Sequence, residues 1–166
     1  METPTSPREG GHSDCQGVAH NHSNQQGGAQ PKTNTKSSDT PRVIVVKHGK
    51  LTSFGNQGNS LVGIATTSQG AKSFEVWRTS VAVGGTTPLH THSSEEVFIV
   101  LRGKGEVLVG DEVIPFVAPA TVIAPAGIAH QLRNTGTEAT DQIVIVGAHS
   151  KIFGPDGKLM MLPWRK

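Results

Sequence analysis

Apolar residues are spread unevenly along the chain. Over residues 1–41 they are limited to Met1, Cys15, Val18, Ala19 and Ala29, and no aromatic residue occurs there. A segment that can bury so little does not offset the entropy of ordering it, so residues 1–41 are expected to form a disordered tail. From Arg42 onward, runs rich in Val, Ile, Phe and Thr alternate with Gly, Asn, Asp and Pro. That pattern predicts strands over 42–47, 61–66, 73–83, 95–102, 104–109, 111–116, 121–124, 129–134, 141–148 and 151–153. No window of twelve or more residues carries a helical period, and only a turn of helix is expected, near Leu159–Trp164. Short, regularly spaced strands imply an all-β sandwich or barrel, here a single domain over residues 42–166.

Composition adds mainly exclusions. The hydrophobic fraction of 34% is low for a globular chain because the polar tail dilutes an adequately apolar domain. With 15 basic and 13 acidic residues the charge is +2, too small to suggest a nucleic-acid partner. No apolar run approaches the ~20 residues that span a bilayer, so no membrane is expected. No apolar stretch of secretory type follows Met1. The single cysteine, Cys15, cannot form an intrachain disulfide and reads as a free thiol in a reducing, cytoplasmic compartment. His12, His20 and His22 read as solvated tail residues, and the sequon Asn21-His22-Ser23 as a chance match.

One stretch carries chemistry, Gly84-Gly85-Thr86-Thr87-Pro88-Leu89-His90-Thr91-His92-Ser93-Ser94-Glu95-Glu96. Side chains alternate along a strand, so His90, His92 and Glu96 share a face and can present two imidazoles and a carboxylate to one metal ion. Phe98 and Val100 continue that face. His130, delivered by the turn Pro125-Ala126-Gly127, is the candidate fourth ligand.

These residues resemble the cupin family. Its first motif is matched by Gly84, His90, His92, Glu96 and Gly103, and its second by Pro125, Gly127, His130 and Asn134. Pro119 replaces the glycine that opens the second motif, a change at a turn and not at a ligand. The resemblance implies a cupin β-barrel, the double-stranded β-helix or jelly roll, holding a divalent metal. Residues 61–166, and Thr87–Gly105 above all, further resemble the plant auxin-binding proteins. Phe74-Glu75-Val76-Trp77, Lys151-Ile152-Phe153 and Leu162-Pro163-Trp164 match elements of that branch.

That resemblance implies zinc, with manganese or iron as other candidates, on His90, His92, Glu96 and His130. It also implies an auxin pocket lined by Trp77, Thr87, Pro88, Phe98, Ile152 and Trp164. Leu162 and Thr79 stand where the family has an aromatic residue and a glutamine. The family's disulfide, secretory signal and endoplasmic-reticulum retention tail have no counterpart here, and Pro119 falls at its glycosylated asparagine. Three neutral imidazoles and one carboxylate give a zinc site a net charge near +1 with open coordination, suited to a carboxylate ligand. Trp77, Phe98 and Trp164 offer stacking surfaces for a flat aromatic ring.

Two functions follow. The first is a non-catalytic receptor or binding protein in auxin signalling, taking a small aromatic carboxylate. The second is a cupin metalloenzyme, an iron or manganese dioxygenase or an isomerase, acting on a small organic acid. Glu75 is expected to be exposed or to stand behind the metal ligands, and Glu95 to face away from them, so no catalytic residue is assigned. Val97, Ile99 and Leu101 make the opposite strand face apolar as well. A neighbouring sheet or a second subunit can cover that face, and the resemblance implies the second, in a homodimer.

Overall fold

The computed structural model describes residues 42–55 and 58–165; the expected tail, with Cys15, lies outside the described residues. The described elements are almost all strands: β1 (Ser60–Ala65), β2 (Phe74–Val81), β3 (Thr91–His92), β4 (Glu96–Arg102), β5 (Lys104–Val109) and β6 (Glu112–Val117). After them come β7 (Ala120–Ala124), β8 (His130–Asn134), β9 (Thr140–Gly147), β10 (Ile152–Phe153) and β11 (Leu159–Met160). They pair as one five-stranded sheet, β1-β2-β9-β4-β7, and two three-stranded sheets, β6-β5-β8 and β11-β10-β3. The cupin jelly roll is therefore the architecture.

Strict alternation builds the core. Along β9 buried and half-buried residues alternate without a break, and β2 keeps the same period. Cross-strand register stacks the inward side chains in rows. Trp77, Val144, Phe98 and Val122 form one row across four strands, and Glu75, Val146, Glu96 and Ala124 form the next. Phe116 and Leu132, from the sheet β6-β5-β8, close over these rows. Burial of such branched and aromatic side chains supplies most of the driving force.

Two glycines of the motifs have conformational reasons. Gly103 joins β4 to β5 at φ 90°, with Thr140 against the space a side chain would take. Gly127 takes φ 74° in the turn before β8, a conformation that disfavours a Cβ. Pro119 sits after a cis peptide in the turn between β6 and β7. The motif asparagine, Asn134, is buried, donating to the carbonyls of Val81 and Glu138, and so ties β8 to β2.

Two expectations fail. Residues 42–47 form no strand; Val43, Ile44 and Val45 are 96%, 55% and 79% exposed, with no described strand beside them to pair with. A short 3-10 turn, His48–Lys50, follows instead. The apolar run near Leu159–Trp164 is not helical; Leu159 and Met160 pair antiparallel with Phe153 and Ile152. Both failures have one cause. An apolar run becomes a strand only where tertiary structure offers an edge.

Candidate metal centre and its cavity

The metal candidates are gathered by four separate pieces of backbone. His90 and His130 form an isolated bridge, each amide donating to the other's carbonyl at 3.2 and 2.9 Å. His92 lies in β3, paired with Ile152. The chain then bends at Ser93–Ser94 and passes into the large sheet, where Glu96 opens β4. The expectation of one continuous strand is thus corrected, although its conclusion of a shared direction stands. The Gly127 amide donates to the His92 carbonyl at 2.8 Å, stitching the two motifs together.

The four side chains meet. One ligand atom from each of His90, His92, Glu96 and His130 lies within 4.8 Å of the others, so this quartet could hold a metal ion. The Nε2 atoms of His90, His92 and His130 stand 3.5, 3.4 and 2.6 Å from Glu96 Oε2. Ligands at the usual ~2.1 Å from one zinc stand roughly 3–3.5 Å apart, which the first two distances match. His92, Glu96 and His130 are buried, whereas His90 stays partly open on the cavity side.

Hydrogen bonding orients the quartet for a metal ion. His90 Nδ1 lies 2.7 Å from the Pro88 carbonyl and His130 Nδ1 lies 2.9 Å from the Ile128 carbonyl. A carbonyl only accepts, so each Nδ1 is assigned a proton; a neutral ring then keeps its Nε2 lone pair for a metal ion, and with no ion between them His130 Nε2 stands at hydrogen-bond distance, 2.6 Å, from Glu96 Oε2. Backbone carbonyls hold metal-ligating histidines in this way. Both nitrogens of His92 are buried without a hydrogen-bond partner. Lone pairs facing a carboxylate repel it unless a proton or a metal ion lies between them.

The protonation behaviour reflects this. Burial lowers the His92 pKa to about 4; the Glu96 carboxylate opposes the shift, and the neighbouring His90, His130 and Arg165 add to it. Burial alone would raise Glu96, but hydrogen bonds from His130 and His90 outweigh it and hold the carboxyl at about 2. His90 is raised: burial opposes the shift, and the Glu96 carboxylate overcomes it.

A cavity of ≈ 330 Å³ opens onto His90, His92 and Glu96. Trp77, Thr87, Pro88, Phe98 and Ile152 line it, together with Thr79 and Leu162. Thr87 is fixed there because its hydroxyl accepts from the Leu132 amide at 2.9 Å. Trp164 does not line this cavity; it stands behind Trp77, ring centroids 5.7 Å apart. Leu61, Met160, Met161 and Pro163 also line the wall. Sequence reading missed them because ordinary apolar residues carry no mark of a cavity. Glu95 is exposed, as expected. Glu75 is not exposed at all; it is fully buried and paired with Arg165.

The family model described as "Auxin binding protein" matches residues 35–161. "Auxin-binding protein 1" of Arabidopsis thaliana is 35% identical over 103 residues, which are 56% of this chain and 52% of that protein. The chain spans about half the length of the curated relatives it matches. Among solved structures, the polyketide cyclase RemF from Streptomyces resistomycificus superposes with a TM-score of 0.58 at 18% identity, covering 75% of this chain and 89% of that one. The cupin-2 domain Rru_A2000 from Rhodospirillum rubrum gives 0.56 at 21% identity, covering 70% and 79%. At such identity the two solved structures speak for the fold alone. Among the described residues no helix is long and apolar enough to cross a membrane.

Acid should unfold the metal-free chain progressively. Between pH 6.5 and about 4 the unfolded state takes a proton on His92 that the fold refuses, so stability falls as pH falls. Glu96 adds to the loss from pH 4.5 down to about 2. His90 contributes with the opposite sign, its stabilisation being full below pH 6.5 and lost as pH rises through its raised value. Urea midpoints of chelator-treated protein should drop between pH 6.5 and 4; a flat profile there would contradict the geometry of the quartet.

Proposed function

This chain belongs to the auxin-binding protein family, and on that premise we propose that it binds a small, auxin-like aromatic carboxylate at a zinc ion. His90, His92, Glu96 and His130 hold the ion, and the fold-bearing domain of residues 42–166 carries the function. Zinc suits a set of three imidazoles and one carboxylate, and such a set leaves coordination open. When bound, the ion supplies a positive centre for the ligand's carboxylate. Trp77 and Phe98 flank the ring, with Thr87, Pro88 and Ile152 completing the cradle and Trp164 backing Trp77. The role is binding or reception in auxin signalling.

The observation that carries this reading is the cavity's composition. Its volume of ≈ 330 Å³ lies at the small end of ligand pockets, fit for a compact ring system. Among its described lining residues, the only titratable side chains are His90, His92 and Glu96. An isomerase would need a general acid or base within reach of its substrate, and among the described lining residues none outside the metal candidates offers one.

A homodimer is part of the proposal. On the outer face of the large sheet, Val76, Ile145, Val97 and Ile123 form an apolar row across four strands. Phe74, Leu101 and Ile123 on that face are 51%, 51% and 59% exposed. A second copy laid on this face would bury its apolar row, as a standard interface of about 800 Å² per partner does.

Calorimetry of the zinc-loaded chain with naphthalene-1-acetic or indole-3-acetic acid should show binding that disappears in His92→Ala, whose zinc affinity should fall by at least about 100-fold. Full zinc occupancy without any binding heat would refute the ligand. Sedimentation should find a dimer for the wild type and a monomer for Val97→Asp. A monomeric wild type at micromolar concentration would refute the interface.

A further inference from the structure

The strand β11 continues as an arm, residues 159–165, that forms one side of the ligand cavity. Met160, Met161, Leu162 and Pro163 line that side. On its other side the same arm borders a second pocket of ≈ 530 Å³, and Met160 and Met161 face both. The arm is thus a partition with open space on two sides. Its backbone is paired with the barrel through only two residue pairs, Ile152 with Met160 and Phe153 with Leu159. A segment paired so sparingly depends on its side chains to stay docked, and Leu162 and Trp164 pack against the core.

Two side chains fasten its far end. Trp164 leans on Trp77, and it fits because Gly63 has no Cβ, which would come within 2.9 Å of the Trp164 ring. The indole Nε1 is buried without a partner, so this contact alone is an imperfect dock. Arg165 supplies the rest. Its Nε donates to Glu75 Oε2 at 2.6 Å and its Nη1 to the Ser150 carbonyl at 2.5 Å. Nη2 lies 2.6 Å from the same Glu75 oxygen, off the hydrogen-bonding axis.

Glu75 is built to receive it. The residue is 0% exposed, and its other oxygen accepts from the Thr67 amide at 3.1 Å and the Thr67 hydroxyl at 3.0 Å. A carboxylate this deep is held by a cation, and a guanidinium offers, in a fixed planar fork, separate donors to a carboxylate and a nearby carbonyl. Glu75 shares its row with Val146 and Glu96, so the pair is anchored level with the metal candidates.

We propose that Glu75 and Arg165 are a positioning pair that docks the 159–165 arm as a wall of the ligand cavity. The consequence for affinity rests on the ligand reading above; the docking does not. The chain has two tryptophans, Trp77 and Trp164, and they are the two rings in contact, so docking has its own optical signal. The test compares the wild type with Arg165→Gln, Arg165→Lys and the double variant Glu75→Gln/Arg165→Gln. The double variant removes the orphaned carboxylate and so separates loss of docking from loss of fold.

In Arg165→Gln and in the double variant, the far-ultraviolet exciton couplet of the tryptophans should vanish and acrylamide should reach Trp164. Zinc content should stay near the wild type in both; the melting temperature should stay near it in the double variant and fall in Arg165→Gln, which leaves the buried Glu75 carboxylate unpaired. Affinity for naphthalene-1-acetic acid should weaken about tenfold, through faster dissociation. Arg165→Lys should restore part of both signals. An unchanged couplet and unchanged quenching in both glutamine variants would overturn the pair's role. An undocked arm with unchanged affinity would overturn its place as a wall. Failure of the zinc-loaded wild type to bind the acid would overturn the ligand reading instead, leaving the tryptophan signals to decide the pair.

Discussion

Much of the barrel is organised around one electrostatic constraint. Glu96 sends a buried carboxylate oxygen to a point that the Nε2 atoms of His90, His92 and His130 also face. With the Nδ1 atoms of His90 and His130 committed to carbonyls, that point is rich in lone pairs and poor in protons. A metal ion held there would resolve it. The reciprocal bridge between His90 and His130, the Gly127 contact with the His92 carbonyl and the bend at Ser93–Ser94 all bring ligand atoms to this place.

The constraint also shapes the space beside it. Polarity is concentrated on the ligand row, and the next row inward is Trp77, Val144, Phe98 and Val122. A molecule entering the cavity therefore meets charge at one end and apolar surface along its length. That division suits the proposed ligand, an acid with a compact aromatic body, because ring burial and ion pairing would then act at different ends of the same molecule. The arm of residues 159–165 completes the enclosure, and its fastening is charged and partly imperfect, unlike the barrel's alternating core.

How much of this was legible in the sequence depended on whether the information was local. The quartet was legible because His90, His92, Glu96 and His130 recur at spacings that neighbouring strands and one tight turn can realise. Alternation placed Trp77 and Phe98 on the correct face even though the chain changes sheets between His92 and Glu96. Residues 42–47 misled because Val43, Ile44 and Val45 look like a strand wherever they lie, and only a partner edge makes them one. The Leu159–Trp164 run was ambiguous in period, and pairing with Ile152 and Phe153 settled it. The bond between Glu75 and Arg165 joins residues 90 positions apart, each unremarkable in its own surroundings. Trp164 kept the company of Trp77 but stands behind it and not in the cavity wall.

X-ray absorption at the zinc edge, on the loaded protein before and after adding naphthalene-1-acetic acid, tests the central claim most directly. The account predicts a first shell of imidazole nitrogens and a carboxylate oxygen that gains an oxygen ligand from the acid. A shell that does not change while the acid binds would contradict it.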